Sequence, residues 1–357
     1  MALPIGLAGP LLLFGTLIGA GSSLNSARLI RRFSTGPVVM VSCALTGIGM
    51  LLIAHASAVG WLWAAAGVMG LGAGAVDAGI NGFVARHYEA RHMSWLHACW
   101  GVGATGGPFI LAAALATSNE GWRTGYLIIG GVQMALAVVF LTTLSLWRQA
   151  PRVNVSAEPS DSKSERSENS PQLAANSLAG KLSVLIFAIY VGAEVTAGLW
   201  IATFLVAERG ATPAWAGACS AGYYGAITVG RFLNGFVVDR WGNRATISRG
   251  LTMATLGAVL FLLPTSVPVA GLSLILIGLG IAALYPGLMH EVPRRFREED
   301  VQIVIGRQNS AAYIGGALLP LAAAGLVQEV SLIFVPTILL GGIVATKLAT
   351  RRLDQLG

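Results

Sequence analysis

Long apolar runs separated by short polar clusters dominate this chain. We identify eleven such runs, at 8–29, 38–57, 60–85, 93–117, 122–147, 182–207, 213–238, 246–265, 268–290, 303–328 and 330–347. Crossing the hydrocarbon core of a bilayer takes about 20 apolar residues, and each run is close to that length or exceeds it. A segment in lipid must satisfy its backbone hydrogen bonds internally, which at these lengths only a helix does. The pattern predicts an all-α protein with eleven transmembrane helices.

Charged residues are too scarce for a water-exposed surface. Only 11% of the 357 residues are charged, against about 25% in soluble domains, and the mean hydropathy is +0.70. No Asp, Glu, Lys or Arg occurs between Arg249 and Glu291. The chain is therefore interpreted as a polytopic membrane protein. Its net charge of +7 is explained by membrane topology, so we expect a lipid bilayer and no nucleic acid as partner.

Basic residues mark alternate connections between the predicted helices, and the other connections contain only Arg123 and Arg209. Since Lys and Arg are enriched in cytoplasmic loops, the basic connections are predicted to face the cytoplasm. We expect a multi-pass protein of the cell membrane, the inner membrane in a bacterium. The basic clusters are Arg28, Arg31 and Arg32; Arg86 and Arg91; the stretch Arg148 to Lys181; Arg240, Arg244 and Arg249; Arg294, Arg295 and Arg297; and Lys347, Arg351 and Arg352.

One basic connection differs from the rest in composition. Residues 150–181 are rich in Ser and charge and poor in large hydrophobic residues, so they cannot bury enough apolar surface to offset their chain entropy. We predict a flexible cytoplasmic linker between a bundle of five helices in 1–149 and a bundle of six in 182–357.

The two bundles repeat each other in sequence. Gly21, Leu24, Asn25 and Arg31 match Gly230, Leu233, Asn234 and Arg240; Gly70-Leu71-Gly72 matches Gly278-Leu279-Gly280; and His97, Gly103 and Pro108 match Asn309, Gly315 and Pro320. The matched helices have the same predicted orientation, which indicates a parallel repeat about an axis along the membrane normal. The partner of the helix at 182–207 would lie before residue 1. We therefore expect a further first helix, and an in-frame apolar segment of about 20 codons upstream would support it.

A ten-residue motif between the helices at 213–238 and 246–265 is the most specific signal in the chain. It reads Gly235-Phe-Val-Val-Asp239-Arg240-Trp-Gly242-Asn-Arg244, and it resembles the loop signature of the major facilitator superfamily. The resemblance implies a fold of two pseudo-symmetric helix bundles that works as a transporter. It also implies that Gly235, Asp239, Arg240, Gly242 and Arg244 form a cytoplasmic gate. The alternative is a charged turn that only anchors the topology.

Three further segments resemble the fucose–proton symporter family within that superfamily. They are Gly72-Ala-Gly74-Ala-Val-Asp77-Ala-Gly-Ile-Asn81, His97-Ala-Cys-Trp100-Gly-Val-Gly103, and Tyr190-Val-Gly-Ala-Glu194 followed by Trp200. The resemblance covers nearly the whole chain. It implies proton-coupled transport of a sugar.

Two carboxylates in the apolar helices are the strongest candidates for chemistry. A charged group at the bilayer centre costs roughly 2.5–3.5 kcal/mol on insertion scales, so each needs a reason to be there. We predict that Asp77 loads and releases protons, the alternative being a carboxylate that is permanently hydrogen-bonded between helices. Glu194 is predicted to couple protons or to bind the substrate. Two roles are open for Arg231: it can pair with an acid across the cavity, or it can reach the cytoplasmic headgroups. The candidate substrate-binding residues are Asn81, His97, Tyr190, Trp200, Gln308 and Asn309.

Several of these residue types also have plain structural roles. A histidine such as His97 can be a satisfied packing residue, and Trp200 can belong to the interfacial aromatic belt. The three cysteines, Cys43, Cys99 and Cys219, lie in apolar stretches without metal-ligand spacing. They are predicted to be small core side chains.

Other chemistries lack their signatures in the sequence. We find no phosphate-binding Gly-rich loop with Lys and Ser or Thr, no nucleophile elbow and no metal-ligand cluster. We therefore predict no enzyme activity, no cofactor and no metal, with transport energised by a gradient. The expected function is proton-coupled transport of a small polar solute, a sugar, by a monomer. Two alternatives remain open: an efflux transporter for amphipathic compounds, and a truncated membrane protein that senses rather than transports.

Overall fold

The computed structural model describes residues 7–118, 120–150, 173–329 and 331–357. Over these ranges the regular structure is helical, and the sole β feature is one isolated bridge between Leu173 and Phe296. The helices are α1 (Ala8–Phe33), α2 (Thr35–Ala54), α3 (Val59–His87), α4 (Ala90–Leu115), α5 (Gly121–Thr142), α6 (Leu144–Gln149), α7 (Leu178–Arg209), α8 (Pro213–Trp241), α9 (Asn243–Leu262), α10 (Val267–Ile281), α11 (Leu284–His290), α12 (Val292–Arg295), α13 (Glu298–Glu329) and α14 (Phe334–Leu356).

The long helices agree with the predicted spans. Nine segments of the described chain are long and apolar enough to cross a membrane, with α10 and α11 counted as one. Helices α1 and α8 have 26 and 29 residues, which at 1.5 Å per residue is also sufficient length. The all-α membrane fold is confirmed, while the count of eleven spans stays a prediction. Most of the predicted linker, 151–172, lies outside the described residues.

The predicted helix at 268–290 is interrupted in the structure. Helix α10 ends at Ile281 and α11 begins at Leu284. Pro286 has no N–H to donate to the carbonyl group four residues earlier, so the helical hydrogen-bond ladder is broken there. Tyr285, just after the interruption, lines a cavity between the two halves of the chain.

The repeat seen in the sequence is also a repeat of packing. In the first half α3 packs on α1 and α2, and α2 packs on α5. In the second half α10 packs on α8 and α9, and α9 packs on α14. Because α1, α2, α3 and α5 correspond to α8, α9, α10 and α14, the same set of contacts occurs twice. The two bundles are therefore pseudo-symmetric.

The main contacts between the bundles obey the same symmetry. Helix α1 packs on α13, and α8 packs on α4. Ser23 on α1 donates its hydroxyl to the carbonyl oxygen of Gly306 on α13, at 3.0 Å. Asn234 on α8 donates to the hydroxyl of Ser94 on α4, at 2.8 Å. Each hydrogen bond joins the bundles through a polar group that the apolar interface would otherwise leave unsatisfied.

Close packing of α1 on α3 depends on glycine. A Cβ atom at Gly74 would overlap the backbone carbonyl of Gly19, and one at Gly70 would overlap the carbonyl of Gly15. Small residues let transmembrane helices approach closely, which is how these two helices meet.

An apolar cavity of about 960 Å³ lies beside α1 and α3 and is lined mainly by apolar residues of α1, α2, α3 and α5.

We predict that Gly74→Ala lowers the thermal unfolding temperature of the purified protein. The added methyl group meets backbone atoms rather than a side chain that can move, so the helices must shift, at a cost of about 1–3 kcal/mol. Gly131→Ala in α5 is the matched control, because a Cβ at Gly131 meets nothing within 4 Å. Equal unfolding temperatures for the two variants would contradict the proposed packing requirement.

Candidate functional site

A cavity of about 670 Å³ lies between the two bundles. Its volume falls in the range usual for small-molecule sites, about 300–1,000 Å³. Both halves contribute to its wall, the first through α1 to α5 and the second through α7, α8, α11 and α13. The polar side chains that line it include Asp77, Asn81, His97, Gln133, Glu194, Arg231, Tyr285, Asn309 and Tyr313.

Asp77 connects the cavity to the interface between the bundles. The hydroxyl group of Tyr313 on α13 donates a 2.6 Å hydrogen bond to Oδ2 of Asp77 on α3. A hydrogen bond to an ionised carboxylate is roughly twice as strong as one between neutral groups. The charge on Asp77 therefore bears directly on a contact between the two halves.

A separate series of polar contacts links the two halves across the cavity. Nε2 of His97 lies 3.0 Å from Oδ1 of Asn81, and since that oxygen accepts, the contact places the imidazole hydrogen on Nε2. The centroid of the His97 ring lies 4.7 Å from that of Tyr285, with the two rings tilted by 47°. The Tyr285 hydroxyl donates to Oδ1 of Asn309 at 2.9 Å. His97 and Asn309, which the repeat pairs, thus line one cavity from opposite halves.

A buried ion pair forms another part of the wall. Oε1 of Glu194 on α7 lies 3.9 Å from Nη2 of Arg231 on α8, with side-chain exposures of 9% and 4%. Oε2 of Glu194 and Nε of Arg231 have no hydrogen-bond partner. The Arg231 guanidinium also lies 5.5 Å from the ring centroid of Trp100. The structure thus resolves the open question of Arg231, which pairs with an acid in the cavity.

Three predicted binding residues do not line this cavity. Gln308 lies about 100° around α13 from Asn309, so its side chain points away from the cavity. It donates to the hydroxyl of Ser183 on α7 at 2.5 Å. Trp200 packs against the apolar core, because six residues place it about 120° from Glu194. Tyr190 is buried beside Glu194 in a separate small pocket. A role in binding for these three stays a prediction.

Several residues that line the cavity are not identified by the sequence analysis. Tyr285 has the same offset from Asp77 as Gly278 has from Gly70, so the repeat contained the signal for it. Tyr313 follows Asn309 by one helical turn and shares its face. Cys99 is exposed and lines the cavity, contrary to its predicted place in the core, whereas Cys43 and Cys219 are buried as predicted.

A family model for the Major Facilitator Superfamily matches residues 3–178 and 182–354. The chain belongs to the Major Facilitator Superfamily.

The residues described include no group of three or more His, Cys, Asp or Glu side chains placed to hold a metal ion.

Individual relatives of this superfamily chain are distant. Bypass of stop codon protein 6 of Saccharomyces cerevisiae is 22% identical over 347 residues, which cover 88% of this chain and 68% of that protein. FucP is the E. coli fucose:proton symporter. Its structure in the outward conformation superposes on this chain with a TM-score of 0.76 at 15% identity, covering 99% of this chain and 91% of FucP. The human organic anion transporter MFSD10 has a TM-score of 0.74 at 17% identity, over 96% and 83%.

The superfamily loop motif joins the two halves at the end of the molecule that carries the basic connections. The Asp239 carboxylate accepts from the backbone N–H of Arg91 at 3.3 Å and lies 3.5 Å from its guanidinium. Gly242 has φ = 78°, a conformation that favours glycine. Gly235 lies against the Trp95 indole, where a Cβ would overlap the ring, and Arg240 is exposed.

Arg244, the last residue of the motif, belongs to a cluster around Glu291, just past the span that ends at His290. Glu291 is buried and lies 3.5 Å from Arg244, 3.3 Å from Arg294 and 3.7 Å from Arg295. Burial raises the pKa of Glu291, but the three arginines outweigh burial and hold the pKa below its usual value. Next to it, His290 Nε2 contacts the carbonyl oxygen of Tyr88 in the other half, at 2.9 Å.

We predict that this superfamily protein loses stability in acid partly through Glu291. A lowered pKa in the folded state stabilises the protein above the unfolded value, about 4.3, and this stabilisation is lost as the pH falls through the folded value. The Glu291→Gln variant should be less stable at pH 7, by about 1–3 kcal/mol, because buried Arg295 and the partly exposed Arg294 and Arg244 lose one carboxylate partner, while Asp354 still pairs with Arg295 and Arg244.

Thermal unfolding measured between pH 7 and pH 3 tests this expectation. The difference between wild type and Glu291→Gln should shrink below pH 4.3 as Glu291 is protonated. Glu120→Gln, a change at an exposed carboxylate, is the control. A difference between wild type and Glu291→Gln that does not change with pH would count against the ionised form as the stabilising one.

Proposed function

We propose that this chain is a secondary active transporter that moves a small polar solute, a sugar, by proton-coupled alternating access. The solute would occupy the cavity between the bundles, and Asp77 and Glu194 would carry the protons. The observation that carries the proposal is the hydrogen bond from Tyr313 to Asp77. It places a titratable group both at the cavity and on a contact between the two moving halves.

The coupling follows from the charge on Asp77. The ionised carboxylate holds the Tyr313 hydroxyl strongly, and protonation weakens that hydrogen bond because the charge is gone. A weaker tie between α3 and α13 changes the relative stability of the two bundle arrangements. Protonation of Asp77 therefore shifts the population of states with access to opposite sides.

The cross-half contacts support an outward-facing state. Arg86 on α3 lies 3.2 Å from Glu298 on α13, and Gln302 donates to the carbonyl of Ala78 at 2.8 Å. Arg91 and Asp239 lie at the same end. With the basic end in the cytoplasm, these contacts close the cytoplasmic side and act as the gate.

The cavity wall favours a polar, hydroxyl-rich solute over an amphipathic one. Amide and imidazole groups of Asn81, His97 and Asn309 can donate to and accept from hydroxyl groups. The indole of Trp100 offers an apolar face for a sugar ring. The fold that this chain shares with the fucose:proton symporter FucP is consistent with a sugar as substrate, and we propose that the protein works as a monomer in a bacterial inner membrane.

A further helix equivalent to α7 belongs to the same proposal. In the second half α7 packs against α8, α13 and α14, whose repeat partners are α1, α4 and α5. The apolar cavity of about 960 Å³ is lined by α1 and α5 and by Trp100 of α4. We propose that the repeat partner of α7 packs there in the working transporter, and that it carries part of the substrate path.

We predict that Asp77→Asn abolishes accumulation of solute against its gradient in vesicles with an imposed pH gradient. The amide cannot take up a proton, but it can still accept from Tyr313, so exchange of solute across the membrane should remain measurable. Uptake and counterflow of labelled sugars are the measurements. Glu120→Gln, a carboxylate-to-amide change at an exposed site, is the control and should accumulate solute like the wild type. Unchanged uphill uptake by Asp77→Asn would exclude Asp77 as the coupling group.

We predict that a membrane-impermeant maleimide labels Cys99 from the outside of intact cells. Cys99 and Cys43 both line the cavity, but Cys99 is exposed whereas Cys43 is buried; Cys219 is buried and does not line the cavity. A transported sugar in the cavity should slow the reaction. The Cys99→Ser variant should not be labelled. Labelling that occurs only in inside-out vesicles would contradict the outward-facing assignment.

A further inference from the structure

Arg231 has spare hydrogen-bonding capacity in a place where that is costly. Its side chain is 4% exposed, and its Nε has no hydrogen-bond partner. The 3.9 Å separation from Glu194 exceeds the usual hydrogen-bond range of about 2.7–3.2 Å. A guanidinium offers five donors in a planar fork that fits a carboxylate with two parallel hydrogen bonds. The wall of the cavity therefore holds an arginine that Glu194 only partly satisfies.

Charge balance limits what can replace Glu194 beside Arg231. Among the described residues that line the cavity, Arg231 is the one permanent cation. If Glu194 takes up a proton, Arg231 stays charged and buried without a counter-charge, which is strongly unfavourable. A neutral sugar supplies no such charge, whereas a carboxylate does. Entry of one proton with one monocarboxylate leaves the total charge of the cavity unchanged.

We propose that the solute is an acidic sugar, of the uronate type, and that Arg231 binds its carboxylate in place of Glu194. This inference rests on the proposed function, because it requires Glu194 to accept a proton. The sugar ring would then lie near Trp100, whose ring is 5.5 Å from the guanidinium. Nδ2 of Asn309, which is buried and has no partner, would donate to a ring hydroxyl.

The surroundings of the pair contain other titratable groups. Besides Glu194 and Arg231 themselves, the groups that interact electrostatically with one or both of them are His97 on α4, Tyr190 on α7, Tyr223 and Tyr224 on α8, and Tyr285 on α11. Asp77 on α3 lines the same cavity. The tyrosines are neutral near pH 7. Within this set Glu194 is the group that competes with a ligand carboxylate for Arg231.

Matched sugar pairs give the test. Binding of D-galacturonate and D-galactose, and of D-glucuronate and D-glucose, would be measured by calorimetry on the purified full chain. We expect at least one acid to bind about tenfold or more tightly than its neutral partner, and this preference to disappear in Arg231→Gln. Binding of that acid by the wild type should weaken as the pH rises, because ionised Glu194 competes for Arg231. Glu194→Gln should bind it equally well across the pH range.

Control variants separate a lost site from a lost fold. The double variant Arg231→Gln with Glu194→Gln keeps the pair neutral, so it should fold and still lack the acid preference. Arg249→Gln changes an exposed arginine and should keep the preference. Equal binding within both pairs, or a preference that survives in Arg231→Gln, would overturn the inference.

The same measurements distinguish this inference from the proposed function. A neutral sugar that binds, and that accumulates in a way that depends on Asp77, would leave the proposed function in place and overturn the acidic substrate. No binding of any of the four sugars, together with no uptake in vesicles, would contradict both.

Discussion

The cost of placing charge inside a lipid-embedded bundle governs the arrangement of this molecule. Each buried charged group must find a partner within the protein, because lipid provides none. Asp77 accepts a hydrogen bond from Tyr313 across the interface between the halves, and Glu194 pairs with Arg231 on the neighbouring helix. Since these partners lie on different helices, any change in their protonation acts on helix packing. A transporter can use that property to link a proton to a change of shape.

The internal repeat determines how the helices pack, whereas the cavity is lined by residues that differ between the two halves. The contacts of α1 with α13 and of α8 with α4 are equivalent under the pseudo-symmetry, so the two main contacts between the halves are built from the same pair of repeated helices. The cavity residues break that symmetry. Tyr285 stands at the repeat position of Asp77, and Asn309 stands at that of His97. At these two matched positions the first half carries an acid and an imidazole, and the second half carries a phenol and an amide.

Apolar run length predicted the helices well, because lipid imposes both the length and the secondary structure. It missed the break before Pro286, which a proline inside a run could have indicated. Of the candidate site, Asp77, Asn81, His97, Glu194 and Asn309 line the cavity. Gln308 and Trp200 do not, because the rotation of a helix about its axis is set by tertiary packing. The partner of Arg231 depends on how α7 and α8 meet, which no local pattern contains.

Among the described residues, the buried glutamates Glu291 and Glu194 differ in how completely their charges are paired. Glu291 is surrounded by Arg244, Arg294 and Arg295 and accepts from Asn243, so its charge is fully used in holding the basic end together. Glu194 has one arginine at 3.9 Å and an oxygen without a partner. A saturated charge gains nothing from a ligand, whereas an unsaturated buried charge gains the hydrogen bonds that it lacks. Incomplete satisfaction within a cavity is therefore the physical property on which we base the proposal that the Glu194–Arg231 pair binds cargo and proton.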